Sequence, residues 1–221
     1  MFRVVTVARE YGSGGGRVGQ LLAQRLGWKL LDRCLVEKIA QAARVEPAMA
    51  AQYDERLDPW FNRLARTFWE QGGLRGIFPG PSFDTFDANT VAALTTRLIE
   101  EAAEIGNCVI VGRASQCILQ DRRDTFHVFI YAPLAEKLRR IRSRFPNLSE
   151  DEARQALDRT DRERAAYVRL HFGQDWSNQH LYHLMISSSL GEEVVVSTIQ
   201  TAMGLRRMPV TVSGRGERRE S

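Results

Sequence analysis

Lysine is scarce in this chain of 221 residues, with three lysines against 28 arginines. A single arginine therefore indicates little unless it belongs to a patterned cluster. Cysteine is also rare, and the three cysteines have no spacing typical of a metal site, which argues against a disulfide-rich or cysteine-ligated protein. No apolar run approaches the ~18 residues of a membrane span. We expect a cytoplasmic protein that does not contact a membrane.

The charge is modest and unevenly placed. The net charge is +4, and most of it comes from residues 205–221, which hold five arginines and two glutamates. The rest of the chain is close to neutral, which argues against a broad nucleic-acid surface. The composition, 43% hydrophobic and 26% charged, is typical of a globular protein. We expect one domain over residues 1–204, followed by a disordered basic tail over 205–221.

The hydrophobic pattern predicts five strands separated by helices. A short β-branched strand at 3–8, a glycine-rich loop, a helix closed by Gly27 and a second strand at 28–32 form a βαβ unit. Further strands are predicted at 107–113, 125–133 and 181–189. A helix is predicted over 86–106, and another begins at a capping box formed by Ser149 and Glu152. The fold class is therefore α/β: a doubly wound, five-stranded parallel sheet between two helical layers.

The glycine-rich loop follows the first strand directly, which is where nucleotide-binding proteins hold phosphates. Glycines let backbone N–H groups turn inward, and the following helix favours an anion at its N-terminus. The loop lacks the lysine and the hydroxyl of the pattern G-x-x-x-x-G-K-[ST], and its nearest cation is Arg17. On its residues alone it is a degenerate P-loop at best, with Gly12, Ser13, Gly14, Gly15, Gly16 and Arg17 as the candidate phosphate-binding residues.

Two other interpretations of the loop stay open on its residues alone. Gly14, Gly16 and Gly19 satisfy G-x-G-x-x-G, and Asp32 ends the second strand near the position of a ribose-binding acid, which would indicate an NAD(P)-binding oxidoreductase. The alternative is a glycine turn without a ligand. Asp32 is itself either a candidate to orient Mg²⁺ or an acid in an ion pair with Arg33 or Lys29.

A second cluster of charge lies far along the chain, in the run "LDRTDRERAAYVR". It places three arginines around Asp161 within two helical turns. A solvated helix face with pairs such as Asp158 and Arg162 would explain it. Phosphoryl transfer, however, needs cations around the transferred group and little else from the protein, and a helix carrying arginines supplies them.

Four segments together resemble the cytidylate kinase-like family of P-loop proteins. They are "TVAREYGSGGGRVGQLLAQRLGWKLLD", "GNCVIVGRASQCIL", "VFIYAPLAEKLRRI" and "LDRTDRERAAYVRLHFGQDW". The resemblance covers roughly residues 2–203 and is poor across 46–85. It implies a P-loop kinase fold with a helical insertion at 46–85 beside the acceptor nucleotide and an arginine-rich helical lid over 146–176.

The resemblance also implies roles for individual residues. The glycine loop would hold ATP, with Arg17 in place of the lost lysine. Arg159 and Arg162 of the motif R-x-D-R-x-R would stabilise the transferred charge. The acceptor would be bound by Lys38, Arg113, Asp161 and Arg164.

The implied activity is transfer of the ATP γ-phosphate, with Mg²⁺, to CMP, dCMP or a similar small acceptor. Ala114 stands where cytidylate kinases have an aspartate that helps bind the acceptor nucleoside, so the base is open. The alternative function is a nucleotide-binding regulatory protein that lost turnover with the lysine. The expected partners are small-molecule nucleotides, without nucleic acid.

Overall fold

The computed structural model describes residues 1–32 and 88–204, and only the backbone at 88–91. Lys38, the expected insertion at 46–85 and the tail at 205–221 lie outside the described residues. The strands are β1 (Val4–Arg9), β2 (Lys29–Leu31), β3 (Cys108–Val111), β4 (Thr125–Tyr131) and β5 (Leu184–Ser187). The helices are α1 (Gly15–Leu26), α2 (Ala88–Ile105), α3 (Ser115–Ile118), α4 (Leu134–Arg144), α5 (Glu150–Phe172) and α6 (Glu192–Ala202), with 3₁₀ turns at Gln179–Leu181 and Ser188–Leu190.

The five strands form one parallel sheet in the order β2-β3-β1-β4-β5. The strands read as continuous apolar runs because helices cover both faces of a parallel sheet. Val5 and Val7 of β1 pack with Val18 and Leu22 of α1 in the main core cluster, which also includes α6. This arrangement confirms the predicted doubly wound α/β fold.

The strand order excludes the dinucleotide-binding fold that the G-x-G-x-x-G match left open. In that fold β1 lies beside β2, whereas here β1 lies between β3 and β4. The connection that follows β1 and the connection that follows β3 leave these adjacent strands in opposite directions, toward β2 and β4 respectively. The crevice beyond their carboxyl ends is the place where ligands bind in open α/β sheets.

The predicted boundaries are close to the observed ones except at β5. The strand was expected over 181–189 but spans only Leu184–Ser187, because 3₁₀ turns replace both of its ends. The Asn178 side chain caps the first turn and the Ser187 hydroxyl caps the second. The capping box at the start of α5 is present as predicted, with both hydrogen bonds between Ser149 and Glu152 formed.

Candidate functional site

The glycine loop joins β1 to α1 and exposes unused backbone donors. Gly14 caps α1 in a left-handed conformation, with φ 80°, that glycine adopts without strain. The Ser13 hydroxyl donates to the carbonyl of Glu10 at 2.8 Å, so it is turned into the loop. The N–H groups of Gly12, Gly14 and Gly16 donate to no acceptor among the described residues. Three donors at the N-terminus of a 12-residue helix fit a phosphate group.

Arg140 of α4 holds the opposite side of this loop. Its Nη1 donates to the carbonyl of Ser13 and to the hydroxyl of Ser188, each at 2.9 Å, and its Nη2 pairs with Glu136 at 2.9 Å. The Ser188 hydroxyl itself donates to the carbonyl of Ser13 at 2.6 Å. These bonds fix the Ser13 carbonyl, and Arg140 also lines the cavity over the loop.

A buried ion pair fixes the start of the loop. Lys137 donates from Nζ to Glu10 at 3.0 Å, and the same carboxylate oxygen accepts the N–H of Ala132 at 3.1 Å. Lys137 is 8% exposed, and a buried charge is costly unless it is paired, as it is here with Glu10. Sequence reasoning missed both Lys137 and Arg140, although their spacing of three places them on one face of α4.

Arg17, the expected substitute for the lysine, lies at the rim of the loop. Its Nη1 donates to Gln20 at 3.0 Å, and its Nε is 3.6 Å from a carboxylate oxygen of Glu192 in α6. The side chain is 57% exposed. Arg17 thus lines the cavity over the loop while its guanidinium is engaged with neighbouring side chains.

Helix α5 contacts the start of the loop through two residues of its charged motif, Asp161 and Arg164. Asp161 accepts the N–H of Tyr11 at 2.8 Å and a hydrogen bond from Arg164 at 2.9 Å. Arg164 also donates to the carbonyl of Arg9 at 3.0 Å. Burial raises the pKa of Asp161, opposed by the hydrogen bond from Tyr11 and the charge of Arg164. Two of the four motif residues are therefore brought to the glycine loop.

The other two motif residues lie on the exposed face of α5. Arg159 is 3.9 Å from Glu163 and its side chain is 74% exposed. Arg162 donates to the backbone carbonyl of Asp158 at 3.1 Å, rather than pairing with the carboxylate of that residue. In this conformation the structure does not bring Arg159 and Arg162 to the loop, and their catalytic role stays a prediction.

Two cavities meet at Arg9 and Arg164. One, of about 300 Å³, lies over the glycine loop and is also lined by Arg140 and Arg144. The other, of about 260 Å³, lies beyond the carboxyl ends of β1 and β3 under α5. Arg9 and Arg164 line both. These two cations therefore belong to the walls of both cavities.

The turn after β3 has an unusual backbone. Gly112, Arg113 and Ala114 have φ values of 79°, 58° and 53°, and left-handed backbone costs a residue other than glycine about 1–2 kcal/mol. A Cβ at Gly112 would displace the Arg9 guanidinium, and the left-handed backbone there disfavours a side chain. Arg113 lines the 260 Å³ cavity, and its charge opposes the rise that burial gives the pKa of Tyr167.

The candidate metal residue Asp32 directly follows β2 and is half-buried. Among residues 1–32 and 88–204 no group of three or more histidine, cysteine, aspartate or glutamate side chains could hold a metal ion. The described helices include none that is long and apolar enough to cross a bilayer.

The sheet order and the glycine loop after β1 are those of the P-loop kinase fold, and arginines line the cavity over the loop. The chain belongs to the cytidylate kinase-like family, whose model matches residues 4–190. It is 35% identical over 74 residues to a cytidylate kinase from Shewanella sediminis (strain HAW-EB3); the match covers 34% of this chain and 32% of that protein.

Two solved structures share the fold. One is an uncharacterized protein from Eubacterium ventriosum ATCC 27560, with a TM-score of 0.67 and 19% identity over 93% of this chain and 100% of that one. The other is a shikimate kinase from Bacteroides thetaiotaomicron, with a TM-score of 0.50 and 16% identity over 91% of this chain and 98% of that one.

Proposed function

We propose that the protein transfers the γ-phosphate of ATP to a nucleoside monophosphate, of which CMP or dCMP is the first candidate. The observation that carries the proposal is the pair of cavities joined at Arg9 and Arg164. The donor phosphates fit the cavity with the unused N–H groups of the glycine loop. The acceptor phosphate fits the second cavity, where Arg113 supplies a cation that can bind phosphate oxygens in a bidentate manner.

The reaction needs positioning and charge stabilisation rather than a general base. The bond between the γ-phosphorus and the β-phosphate oxygen breaks, a bond to an ionised phosphate oxygen of the acceptor forms, and ADP leaves. Arg9 and Arg164 stabilise the charge on the three oxygens of the transferred group because they line both cavities. Arg17 adds charge if it leaves Gln20 and Glu192, and Arg159 and Arg162 add charge if α5 changes its position on the loop.

Magnesium fits the donor set only in part. Mg²⁺ keeps several waters and is bound by one or two carboxylates together with substrate phosphates. Asp32 offers a carboxylate at the sheet edge, whereas the Ser13 hydroxyl donates within the loop. When bound, the ion would neutralise the phosphate charge, with Asp32 as its protein partner.

A regulatory nucleotide-binding protein is the second candidate. It is favoured by the side chain of Arg17, which is engaged by Glu192 and Gln20 rather than pointed along the loop. A coupled ADP-release assay over the common nucleoside monophosphates and deoxynucleoside monophosphates separates the two functions. We expect turnover with at least one acceptor. ATP binding without turnover on any acceptor would refute the kinase and support the regulator, and loss of ATP binding would refute both.

A further inference from the structure

The cavity of about 260 Å³ beyond β1 and β3 contains a polar side chain that the proposed reaction does not use. Gln116 of α3 lines this cavity and is 1% exposed. Neither its Nε2 nor its Oε1 has a hydrogen-bond partner among the residues that the structure describes. A buried amide whose donor and acceptor are both unpaired is rare, because burying polar atoms without hydrogen-bond partners lowers the stability of the folded state.

The position of Gln116 is held by strained backbone. It follows the left-handed turn at Arg113 and Ala114, with Ala114 as the N-cap of α3. Such strain persists where the surrounding structure requires one orientation, commonly at ligand sites. Burial raises the pKa of the adjacent Cys117 thiol to about 11, and hydrogen bonding with the Gln116 side chain lowers it. A thiol is a weak hydrogen-bonding group and cannot satisfy both the donor and the acceptor of the amide. Gln116 is therefore a buried residue of the cavity wall whose amide has no strong hydrogen-bond partner among the described residues.

The groups around Gln116 indicate the chemistry of the missing partner. Tyr167 and Trp176 line the same cavity and offer aromatic surface to a planar group. Arg113 and Arg164 line it as well and offer charge to an anion. A carboxamide presents a donor beside an acceptor, so its complement is a planar edge with an acceptor beside a donor. A nucleobase carried on a phosphorylated sugar has all three properties.

We propose that Gln116 binds the hydrogen-bonding edge of the acceptor nucleobase and sets the base preference of the enzyme. The inference rests on the proposed function for the identity of the cavity as the acceptor site. The role of Gln116 is nevertheless a separate claim from phosphoryl transfer. A hydroxylated acceptor without a base could be phosphorylated in the same cavity and would leave the amide without a planar partner.

The test compares Gln116→Leu with Ser115→Ala. Leucine keeps the volume and removes both polar atoms, so Gln116→Leu weakens binding of the preferred nucleoside monophosphate roughly 5- to 150-fold. Its KM for ATP changes less than twofold, and its melting temperature stays equal or rises because an unpaired amide is lost. Ser115 is the matched control: its hydroxyl is also buried and unpartnered within the described residues, but it does not line the cavity. Ser115→Ala leaves acceptor binding unchanged.

Gln116→Glu supplies a second measurement, since it exchanges the amide donor for an acceptor at constant volume. We expect it to change the order of affinities among CMP, UMP, AMP and GMP, measured by calorimetry without turnover. Unchanged acceptor affinity in both Gln116 variants overturns the inference and leaves the phosphotransferase standing. ATP-dependent phosphorylation of an acceptor without a base, with no nucleoside monophosphate bound, has the same consequence. Wild-type protein that binds monophosphates through Gln116 but never turns over upholds the inference and refutes the proposed kinase.

Discussion

Replacing Arg140 by alanine tests whether the phosphate loop depends on a cation supplied by another helix. The substitution removes the 2.9 Å hydrogen bonds to the Ser13 carbonyl and the Ser188 hydroxyl, and it also removes the pair with Glu136. The loop would then lose the contact that fixes its carbonyl side. We expect lower stability of the fold and weaker binding of ATP.

The magnitude follows from the two short bonds. Hydrogen bonds to charged groups are worth about 1.5–3 kcal/mol each. The Arg140 side chain is 29% exposed, so water replaces part of the loss, and its pair with Glu136 adds about 0–1 kcal/mol. We expect a total of about 2–4 kcal/mol. At roughly 2–4 °C per kcal/mol for a domain of this size, the melting temperature falls by about 5–15 °C.

Calorimetric titration with a non-hydrolysable ATP analogue measures the functional part. We expect the Kd to rise about tenfold to a hundredfold, because binding must then supply the free energy that orders the loop. Arg140→Lys should be intermediate, since lysine keeps the charge but cannot donate in the same fork. Arg139 is the matched control because it is adjacent on α4 and exposed. Equal Kd and melting temperature in wild type and Arg140→Ala would refute the role of Arg140 in holding the loop.

Three further predictions concern separate parts of the molecule. Arg164→Ala lowers kcat by ~10³-fold or more while Arg162→Ala lowers it less than tenfold, if catalysis uses the α5 position described above. Burial lowers the pKa of His127 to about 4, so this residue binds protons more readily in the unfolded state. The free energy of unfolding therefore falls by about 3 kcal/mol as the pH falls from 6.5 to 4. Thermal melts of His127→Asn at several pH values lack this pH dependence. Cys108 and Cys117, with pKa values raised by burial to about 12 and 11, resist a thiol reagent until the protein unfolds.

Each of these predictions has a contradicting result. A thousandfold loss in Arg162→Ala would indicate that α5 turns its outer arginines inward during catalysis, as the sequence motif predicts. An unchanged pH slope in His127→Asn would assign the loss of stability in acid to groups other than His127. Rapid labelling of more than one thiol in the native protein would show that β3 or α3 opens on the timescale of the assay.

Local pattern was sufficient for most of the fold. The β-branched run at Val4 to Val7 and the capping box at Ser149 predict elements that the structure contains, because periodicity and cap chemistry act within a few residues. The ends of β5 were predicted less well, since the serines after it favour a 3₁₀ turn through their own hydroxyls. Whether an apolar run continues as strand there depends on such local bonds.

The site was predicted only where a motif was continuous in sequence. The glycine loop and the α5 motif were identifiable, but the motif could not separate Asp161 and Arg164, which face the loop, from Arg159 and Arg162, which do not. Arg140 and Gln116 were missed because neither belongs to a sequence motif and because their roles depend on their surroundings in the folded protein. The partners of Arg140 are 48 and 127 residues away, and Gln116 is informative through the partners it lacks among the described residues.

The contacts of Ser13 also determine when during folding the phosphate loop can form. Its carbonyl is held by residues 127 and 175 positions later in the chain, so loop closure over most of the sequence comes before the loop is ordered. The glycines arrive first during synthesis, yet their nucleotide-binding geometry depends on α4 and on the turn after β5. Nascent or truncated chains that end before Ser188 would therefore lack one of the two contacts on the Ser13 carbonyl and would hold the phosphate loop less firmly.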